Sequence, residues 1–142
     1  MLTEAKGIPV ATILSGANRH DMKMLGALLD GLVIKPEPGV RSNLTMDRGY
    51  DYELCRTAAT ERGYIPHIPP RGTAERPVPA PADPDRHPPR RWVVEAAHSW
   101  FNRHRRLLIR WEHKAAHYLG FVQLAAVLII YRKIRHARLL SG

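Results

Sequence analysis

Proline limits what this chain can fold into more than any other residue, because it is concentrated in one segment. Residues 66–89 contain nine of the 12 prolines. Proline lacks a backbone N–H and fixes φ, so a regular helix and a central strand are both excluded there. The sequence therefore predicts a long extended loop at 66–89, separating a strand and helix portion, residues 1–65, from a helical portion, residues 90–140. The whole chain, 1–142, has the length of one domain.

Before the loop, the sequence predicts alternating strands and helices. Residues 8–14 are rich in β-branched and apolar side chains, which favours a strand, and leucines recur at helical spacing from Leu25. In chain order, the expected elements are a strand at 8–14, a helix capped by Asp21 and ending near Gly31, a strand at 43–46, a turn at Asp47-Arg48-Gly49, a helix capped by Asp51 and closed by Gly63, and a strand at 64–68. This β-α-β-α-β order indicates an α/β fold.

After the loop, two helices are expected, at 91–111 and 113–138. Advancing each residue of the first helix by about 100° separates an apolar face from a polar face. The apolar face consists of Val93, Ala97, Trp100, Phe101, Leu107, Leu108 and Trp111, and the polar face of Glu95 with Arg91, His98, Ser99, Asn102 and Arg106. An exposed i, i+4 ion pair between Arg91 and Glu95 is the simplest structural explanation of the polar face. His104 lies on the apolar side, as a core histidine does.

The second expected helix carries one apolar side and one long apolar run. That side is formed by Tyr118, Val122, Ala125, Ala126, Ile129 and Ile130. The run from Leu119 to Tyr131 is 13 residues long and contains Gln123. Because a membrane-spanning helix needs about 20 apolar residues, we expect a buried helix and no membrane partner.

The single cysteine, Cys55, excludes an internal disulfide and a multi-cysteine zinc site, and no signal peptide pattern is present, so a cytoplasmic location is expected.

Positive charge is confined to the second part of the chain. Residues 1–85 have ten Lys+Arg and eleven Asp+Glu, a net charge of −1, whereas residues 86–142 have twelve and two, a net charge of +10. Six of the eight histidines also lie in the second part. A polyanion, most commonly nucleic acid, is the partner that such a segment attracts. A solvated basic surface without a partner remains the alternative.

Three sequence runs resemble transposases of the insertion sequence five family. They are Gly16-Ala17-Asn18-Arg19-His20-Asp21, Met46-Asp47-Arg48-Gly49-Tyr50-Asp51, and Arg91-Trp92-Val93-Val94-Glu95 with the following His98 to Leu107. They occur in family order and at family-like spacing across nearly the whole chain. The resemblance implies a ribonuclease-H-like fold in which two Asp and one Glu bind divalent metal, and an activity that cuts and joins DNA.

The resemblance also implies which residues form the site. Asp47 matches the second Asp and Glu95 the final Glu, so both are expected as catalytic residues and as ligands of two Mg²⁺ or Mn²⁺ ions, near enough to share a metal cluster. Arg91 and Arg103 match the basic residues that flank the Glu. The expected DNA-binding residues are Arg91, His98, Asn102, Arg103, Arg105, Arg106, Arg110 and Lys114.

The first Asp of the family pattern stands on a strand before the segment that matches residues 8–14, and the chain has no such strand there. We therefore expect an incomplete ribonuclease-H-like fold lacking the first strands, and a chain that is poorly soluble and inactive alone.

The expected partners are transposon ends and target DNA, an N-terminal transposase fragment that supplies the first Asp, and a second copy in a homodimer, all in a bacterial cytoplasm at the nucleoid. Two alternatives are a non-catalytic basic DNA-binding protein and a non-functional transposase remnant. An upstream reading frame that encodes an Asp-bearing strand would distinguish a divided transposase from a remnant.

Overall fold

The chain forms two compact units in a computed structural model that describes residues 1–16, 18–37, 39–72 and 91–140. The first unit joins Met1–Leu14 to Arg91–Gly142, and the second is Ser15–Arg90. We call them the helical unit and the β-α-β unit, and each is described by itself. Most of the expected loop at 66–89 lies outside the described residues.

The elements of both units follow one another in a mixed α/β order. The described strands and helices are β1 (Leu2–Thr3), β2 (Pro9–Ala11), α1 (Leu25–Asp30), β3 (Ser42–Thr45), α2 (Glu53–Thr60), β4 (Tyr64–His67), α3 (Arg91–Asn102), α4 (Arg105–Leu108) and α5 (Ala115–Leu140). Two short 3-10 helices, Asp21–Met24 and Arg48–Tyr50, precede α1 and α2. The expected order of strands and helices before the loop is thus confirmed, with one additional strand at the start.

In the β-α-β unit, β3 and β4 pair in parallel, with Ser42 opposite Tyr64 and Thr45 opposite His67. Parallel strands need a crossover, and α2 supplies it. Leu44 from β3 and Cys55 from α2 are buried in this unit. Both strands lie within one residue of the expected positions, and Pro66 is accommodated because a two-stranded sheet has only edge strands.

The helix predicted from the leucine spacing after Leu25 is also present, and its leucines face the core. Leu25, Leu28, Leu29 and Leu32 are all buried. The two expected aspartate caps, however, are wrong. The residue before the first 3-10 helix is His20 and the one before α2 is Tyr52, and neither makes a side-chain cap hydrogen bond.

The two aspartates have other roles, which explains why they do not cap helices. Asp21 is the first residue of the 3-10 helix and lines a cavity. The Asp51 carboxylate accepts hydrogen bonds from the Arg56 side chain and from the backbone N–H of Arg71. The Arg56 side chain and the distant Arg71 backbone, rather than the N–H groups at the start of α2, are the partners of Asp51.

In the helical unit, β1 and β2 form an antiparallel pair around a turn at Gly7. Gly7 has a φ of +85°, a conformation that favours glycine, and a Cβ there would approach the Val93 carbonyl oxygen to 3.2 Å. The expected strand at 8–14 is shorter in the structure, Pro9–Ala11, and pairs with β1.

The expected continuous helix at 91–111 is wrong, since it ends at Asn102 and resumes at Arg105. His104 between them is extended, with φ −90° and ψ 98°. Val93, Ala97 and Phe101 are buried as expected before the break. After it the helical periodicity no longer applies, and Leu108 and Trp111, assigned to the apolar face, are 58% and 69% exposed.

Helix α5 packs through the side that the sequence indicates, but it is not a buried helix. Ala125 and Ile129 pack against Phe101, and all six residues of the expected side are buried or half-buried. The opposite side exposes Leu124, Val127, Leu128, Tyr131 and Ile134. Only 11% of the most apolar window of Ala115–His136 is buried. By length and composition alone this segment meets the requirements of a membrane-crossing helix, which a core helix of a soluble protein also meets.

Candidate active site

Asp47 follows the last residues of β3, where the chain leaves the parallel sheet. It is the residue before the 3-10 helix Arg48–Tyr50, and its Oδ1 accepts a 2.7 Å hydrogen bond from the backbone N–H of Gly49. This bond satisfies one of the free N–H groups at the helix start. Among the described residues, no donor reaches Oδ2. The carboxylate is exposed, with one oxygen oriented by the backbone.

A polar cavity of about 220 Å³ lies beside Asp47 within the β-α-β unit. Its lining residues are His20, Asp21, Met22, Asp47, Gly49, Tyr50, Tyr52 and Arg71. Sequence reasoning assigned a site role to Asp47 but missed His20, Asp21 and Arg71. For His20 and Asp21 a signal was present, because both belong to a run that carries the family resemblance.

The pKa of Tyr50 responds to the negative charge around the cavity. Burial, and then the charges of Asp21 and Asp47, raise the pKa of Tyr50 to about 12. A phenolate beside two carboxylates is disfavoured, so Tyr50 stays protonated at neutral pH. Its hydroxyl is therefore a hydrogen-bond donor next to the two aspartates and cannot serve as a base at neutral pH.

Glu95 lies in the helical unit, on the side of α3 away from the buried Val93, Ala97 and Phe101. Its side chain is exposed, as are those of His98 and Asn102. The expected two-faced character of this helix is confirmed from Trp92 to Asn102. The side chain of Arg91, and with it the alternative of an Arg91–Glu95 ion pair, lies outside the part of the chain that the structure describes.

The expected DNA-binding Lys and Arg residues whose side chains are described divide into two groups. Arg106 donates from Nε to Glu112 Oε1 at 2.9 Å, and Arg110 donates from Nε to the carbonyl oxygen of Glu112 at 3.0 Å. Both also stack on aromatic rings, Arg106 on Phe121 and Arg110 on Tyr118. These two arginines stabilise the connection between α4 and α5.

Arg103, Arg105 and Lys114 differ from those two arginines. All three are exposed. Within the described ranges, none of their side chains has a hydrogen-bond or ion-pair partner. Unlike Arg106 and Arg110, these three cations can bind a phosphate without breaking an interaction within the described protein.

A complete metal site is not found within the described part of the chain. Among the described residues, no group of three or more His, Cys, Asp and Glu side chains could hold a metal ion. Asp47 belongs to the β-α-β unit and Glu95 to the helical unit. The exposed Asp47 carboxylate, with Oδ2 available, fits a hard divalent cation as one ligand of a larger set.

Residues 1–130 match the family model of the transposase DDE domain. The chain belongs to the DDE transposase family. A Burkholderia cepacia protein that is named as a transposase for insertion sequence element IS402 is similar over 144 residues, with 36% identity. That match covers 96% of this chain and 64% of the relative, so the chain spans less than two thirds of the relative's length. No solved structure matches the chain.

Membership of the DDE transposase family confirms the resemblance seen in the three sequence runs. The mixed α/β order of strands and helices is consistent with a DDE domain. DDE transposases act on DNA and their domains use divalent metal ions. Both properties agree with a basic C-terminal segment and an exposed carboxylate at a strand end.

Proposed function

We propose that these 142 residues supply Asp47 and Glu95 as two of the three metal-binding carboxylates of a transposase that cleaves and joins DNA. One observation carries the proposal. Asp47 stands at the carboxyl end of a parallel strand, beside a polar cavity, with one oxygen held by a backbone N–H and the other open to a ligand. Carboxyl ends of parallel strands are where ligands bind in open α/β sheets.

The parallel β3-α2-β4 unit supports a ribonuclease-H-like arrangement as the fold of the complete domain, with its first strands supplied from outside these residues. In that arrangement the Asp47 and Glu95 carboxylates contribute to one metal cluster. Exposure of Glu95 on the polar side of α3 supports this assignment, because a ligand must be reachable by the ion.

Two Mg²⁺ or Mn²⁺ ions, when bound, would activate the attacking oxygen and stabilise the leaving oxygen at phosphorus. Asp47 and Glu95 would hold these ions through hard carboxylate oxygens. The Gly49 N–H orients Asp47 Oδ1, so the carboxylate is directed before an ion arrives. Tyr50 stays neutral and adds no charge to the cluster.

Transposon ends and target DNA are the proposed substrates, bound by the basic segment. Exposed Arg103, Arg105 and Lys114 supply phosphate contacts, and His98 and Asn102 lie on the same polar side of α3 as Glu95. Arg91, Arg106 and Arg110 complete the proposed set. Phosphate contacts position a protein on DNA without reading its sequence. A bacterial cytoplasm with nucleoid association is the location that follows from this substrate.

We propose that the 142-residue chain by itself is inactive, since the resemblance assigns it two of three carboxylates. The N-terminal part of the transposase, with the first Asp, is the proposed completing partner, and a homodimer is the proposed form that holds two DNA ends.

The test is cleavage of DNA that carries the ends of the element. The complete transposase should nick this DNA with Mg²⁺ or Mn²⁺ and lose activity in EDTA, while the 142-residue chain should not cleave but should still bind DNA. Metal-independent cleavage, or an inactive complete protein, would contradict the proposal and favour a DNA-binding protein or a remnant.

A further inference from the structure

Arg71, four residues after β4, binds one short segment through most of its polar atoms. Its Nε donates to the carbonyl oxygen of Arg48 at 2.8 Å, and its Nη2 donates to the carbonyl oxygen of Gly49 at 3.2 Å. Its Nη1 donates to the hydroxyl of Tyr52 at 2.8 Å, and the guanidinium lies 4.7 Å from the centre of the Tyr52 ring.

The backbone of Arg71 binds the same segment. Its N–H donates to Asp51 Oδ2 at 2.7 Å. That bond and the Arg56 side chain together lower the pKa of Asp51 below its ordinary value, so Asp51 remains a charged acceptor at neutral pH. One residue therefore binds at four points between residues 48 and 52, immediately after Asp47.

Strand direction explains why these residues meet. The strands β3 and β4 are parallel, so the segments that follow them leave the sheet at the same edge. Residues 48–52 continue from β3 and Arg71 continues from β4. The guanidinium links the two segments that follow β3 and β4, because it donates to two backbone carbonyl oxygens of the short 3-10 helix Arg48–Tyr50.

Such an arrangement needs arginine in particular. Three different guanidinium nitrogens are used at once, and the planar fork holds them in fixed directions. A lysine keeps the charge but places its donors on one nitrogen, which cannot span Arg48, Gly49 and Tyr52 together.

We propose that Arg71 is a positioning residue of the metal site: it fixes the 48–52 segment, keeps the Gly49 N–H directed at Asp47 Oδ1, and so holds the Asp47 carboxylate ready for a divalent ion. This inference rests on the proposed role of Asp47 and assigns Arg71 no contact with metal or DNA. The competing role, a direct contact of Arg71 with DNA phosphate, makes a different experimental prediction.

The first measurement is the metal requirement of the complete transposase with Arg71→Lys. The Mn²⁺ concentration for half-maximal cleavage should rise roughly 10- to 100-fold, as for other residues that orient metal ligands, with DNA affinity unchanged. Arg62→Lys is the matched control, because the Arg62 guanidinium also makes more than one hydrogen bond in the same unit, in this case to the Asp30 carboxylate at 2.7 and 2.9 Å. An unchanged Mn²⁺ requirement, or a fall in DNA affinity without a change in that requirement, would overturn the proposal.

The second measurement separates this proposal from the proposed function, because it needs no activity. In the 142-residue chain, hydrogen exchange of the Gly49 amide should become several-fold faster in Arg71→Lys, while amides of the β3–β4 ladder should not change. Arg62→Lys should leave Gly49 exchange unaltered. Unchanged Gly49 exchange in Arg71→Lys would overturn the positioning role, whereas an inactive complete transposase with altered Gly49 exchange would count against the proposed function alone.

Discussion

Arg106 and Glu112 form an ion pair in which the carboxylate is buried and the guanidinium is exposed. The distance from Arg106 Nε to Glu112 Oε1 is 2.9 Å, and the two side chains are 60% and 6% exposed. The other oxygen, Oε2, is buried and has no hydrogen-bond partner among the described residues. Glu112 therefore depends on Arg106, which gives this arginine a structural role besides the proposed contact with DNA.

Replacing Arg106 with alanine should destabilise the helical unit, because it removes the side-chain partner of the Glu112 carboxylate. We expect the thermal midpoint to fall by roughly 5 °C. Arg105→Ala is the matched control, since Arg105 is exposed and has no partner within the described residues. Calorimetry at pH 7 measures both, and equal midpoints in the two variants would contradict the structural role.

The same pair predicts how stability changes in acid. Burial raises the pKa of Glu112, but the hydrogen bond and charge of Arg106, with backbone hydrogen bonds, bring it below its ordinary value of 4.5. A carboxyl whose folded-state pKa is lowered stabilises the fold above its ordinary pKa, and this stabilisation disappears as pH falls through the lowered value. Thermal midpoints measured from pH 7 down to 3 should fall less steeply in Arg106→Ala. An equally steep fall in both proteins would show that this pair does not control acid stability.

Tyr50 should lose part of its raised pKa when Asp47 is neutralised. The pKa of about 12 arises from burial first and from the charges of Asp21 and Asp47 next. In Asp47→Asn one of these charges is absent, so the pKa of Tyr50 should move toward its ordinary value of 10.0. Ultraviolet titration, with Tyr50→Phe to identify the signal, measures the change. An unchanged Tyr50 pKa would show that Asp47 is not beside this hydroxyl.

The exposed side of α5 should make the isolated chain self-associate. Leu124, Val127 and Tyr131 are exposed large apolar side chains at helical spacing. Replacing these three with Gln should lower the apparent mass seen by light scattering without lowering the thermal midpoint. By contrast, Ile129→Ala removes a buried side chain and should cost about 2–4 kcal/mol. If the triple variant unfolds like Ile129→Ala, the exposed side is part of a core.

DNA affinity should depend on the exposed cations after α3. Charge reversal of Arg103, Arg105 and Lys114 should weaken binding to any DNA sequence and reduce the salt slope by about one for each phosphate that is no longer neutralised. Arg41→Glu, in the part of the chain without net positive charge, is the control. Fluorescence anisotropy at several salt concentrations measures both the affinity and the slope. Binding that is unaffected by the triple reversal would exclude these residues from the DNA interface.

Local patterns predicted much of the fold because the physical causes were themselves local. Leucine spacing from Leu25 placed a buried helix face, and the Asp47-Arg48-Gly49 run placed a turn at the end of β3. The prediction failed where a residue has more than one possible hydrogen-bond partner. Asp51 could cap a helix or accept a hydrogen bond from Arg71, and the sequence does not show which interaction is the more stable. A continuous helix through His104 satisfied the periodicity equally well, so its break carried no local signal.

The sequence predicted the carboxylates of the candidate site but not the residues that support them. Asp47 and Glu95 were predicted as site residues because their runs resemble a family. Arg71 was missed because its partners lie 19 to 23 residues earlier in the sequence, and only the parallel pairing of β3 and β4 brings them together. Interactions of this range depend on topology, which single-residue patterns do not contain.

The most direct measurement of the central claim is strand cleavage by the complete transposase carrying Asp47→Asn or Glu95→Gln. Each variant should reduce cleavage of transposon-end DNA to background, because each removes a metal ligand, while DNA affinity stays within about twofold since every phosphate-binding cation is retained. Glu53→Gln, an exposed carboxylate at the start of α2, should cleave like the unmodified protein. Cleavage retained by either Asp47→Asn or Glu95→Gln would remove that residue from the catalytic site and contradict the account.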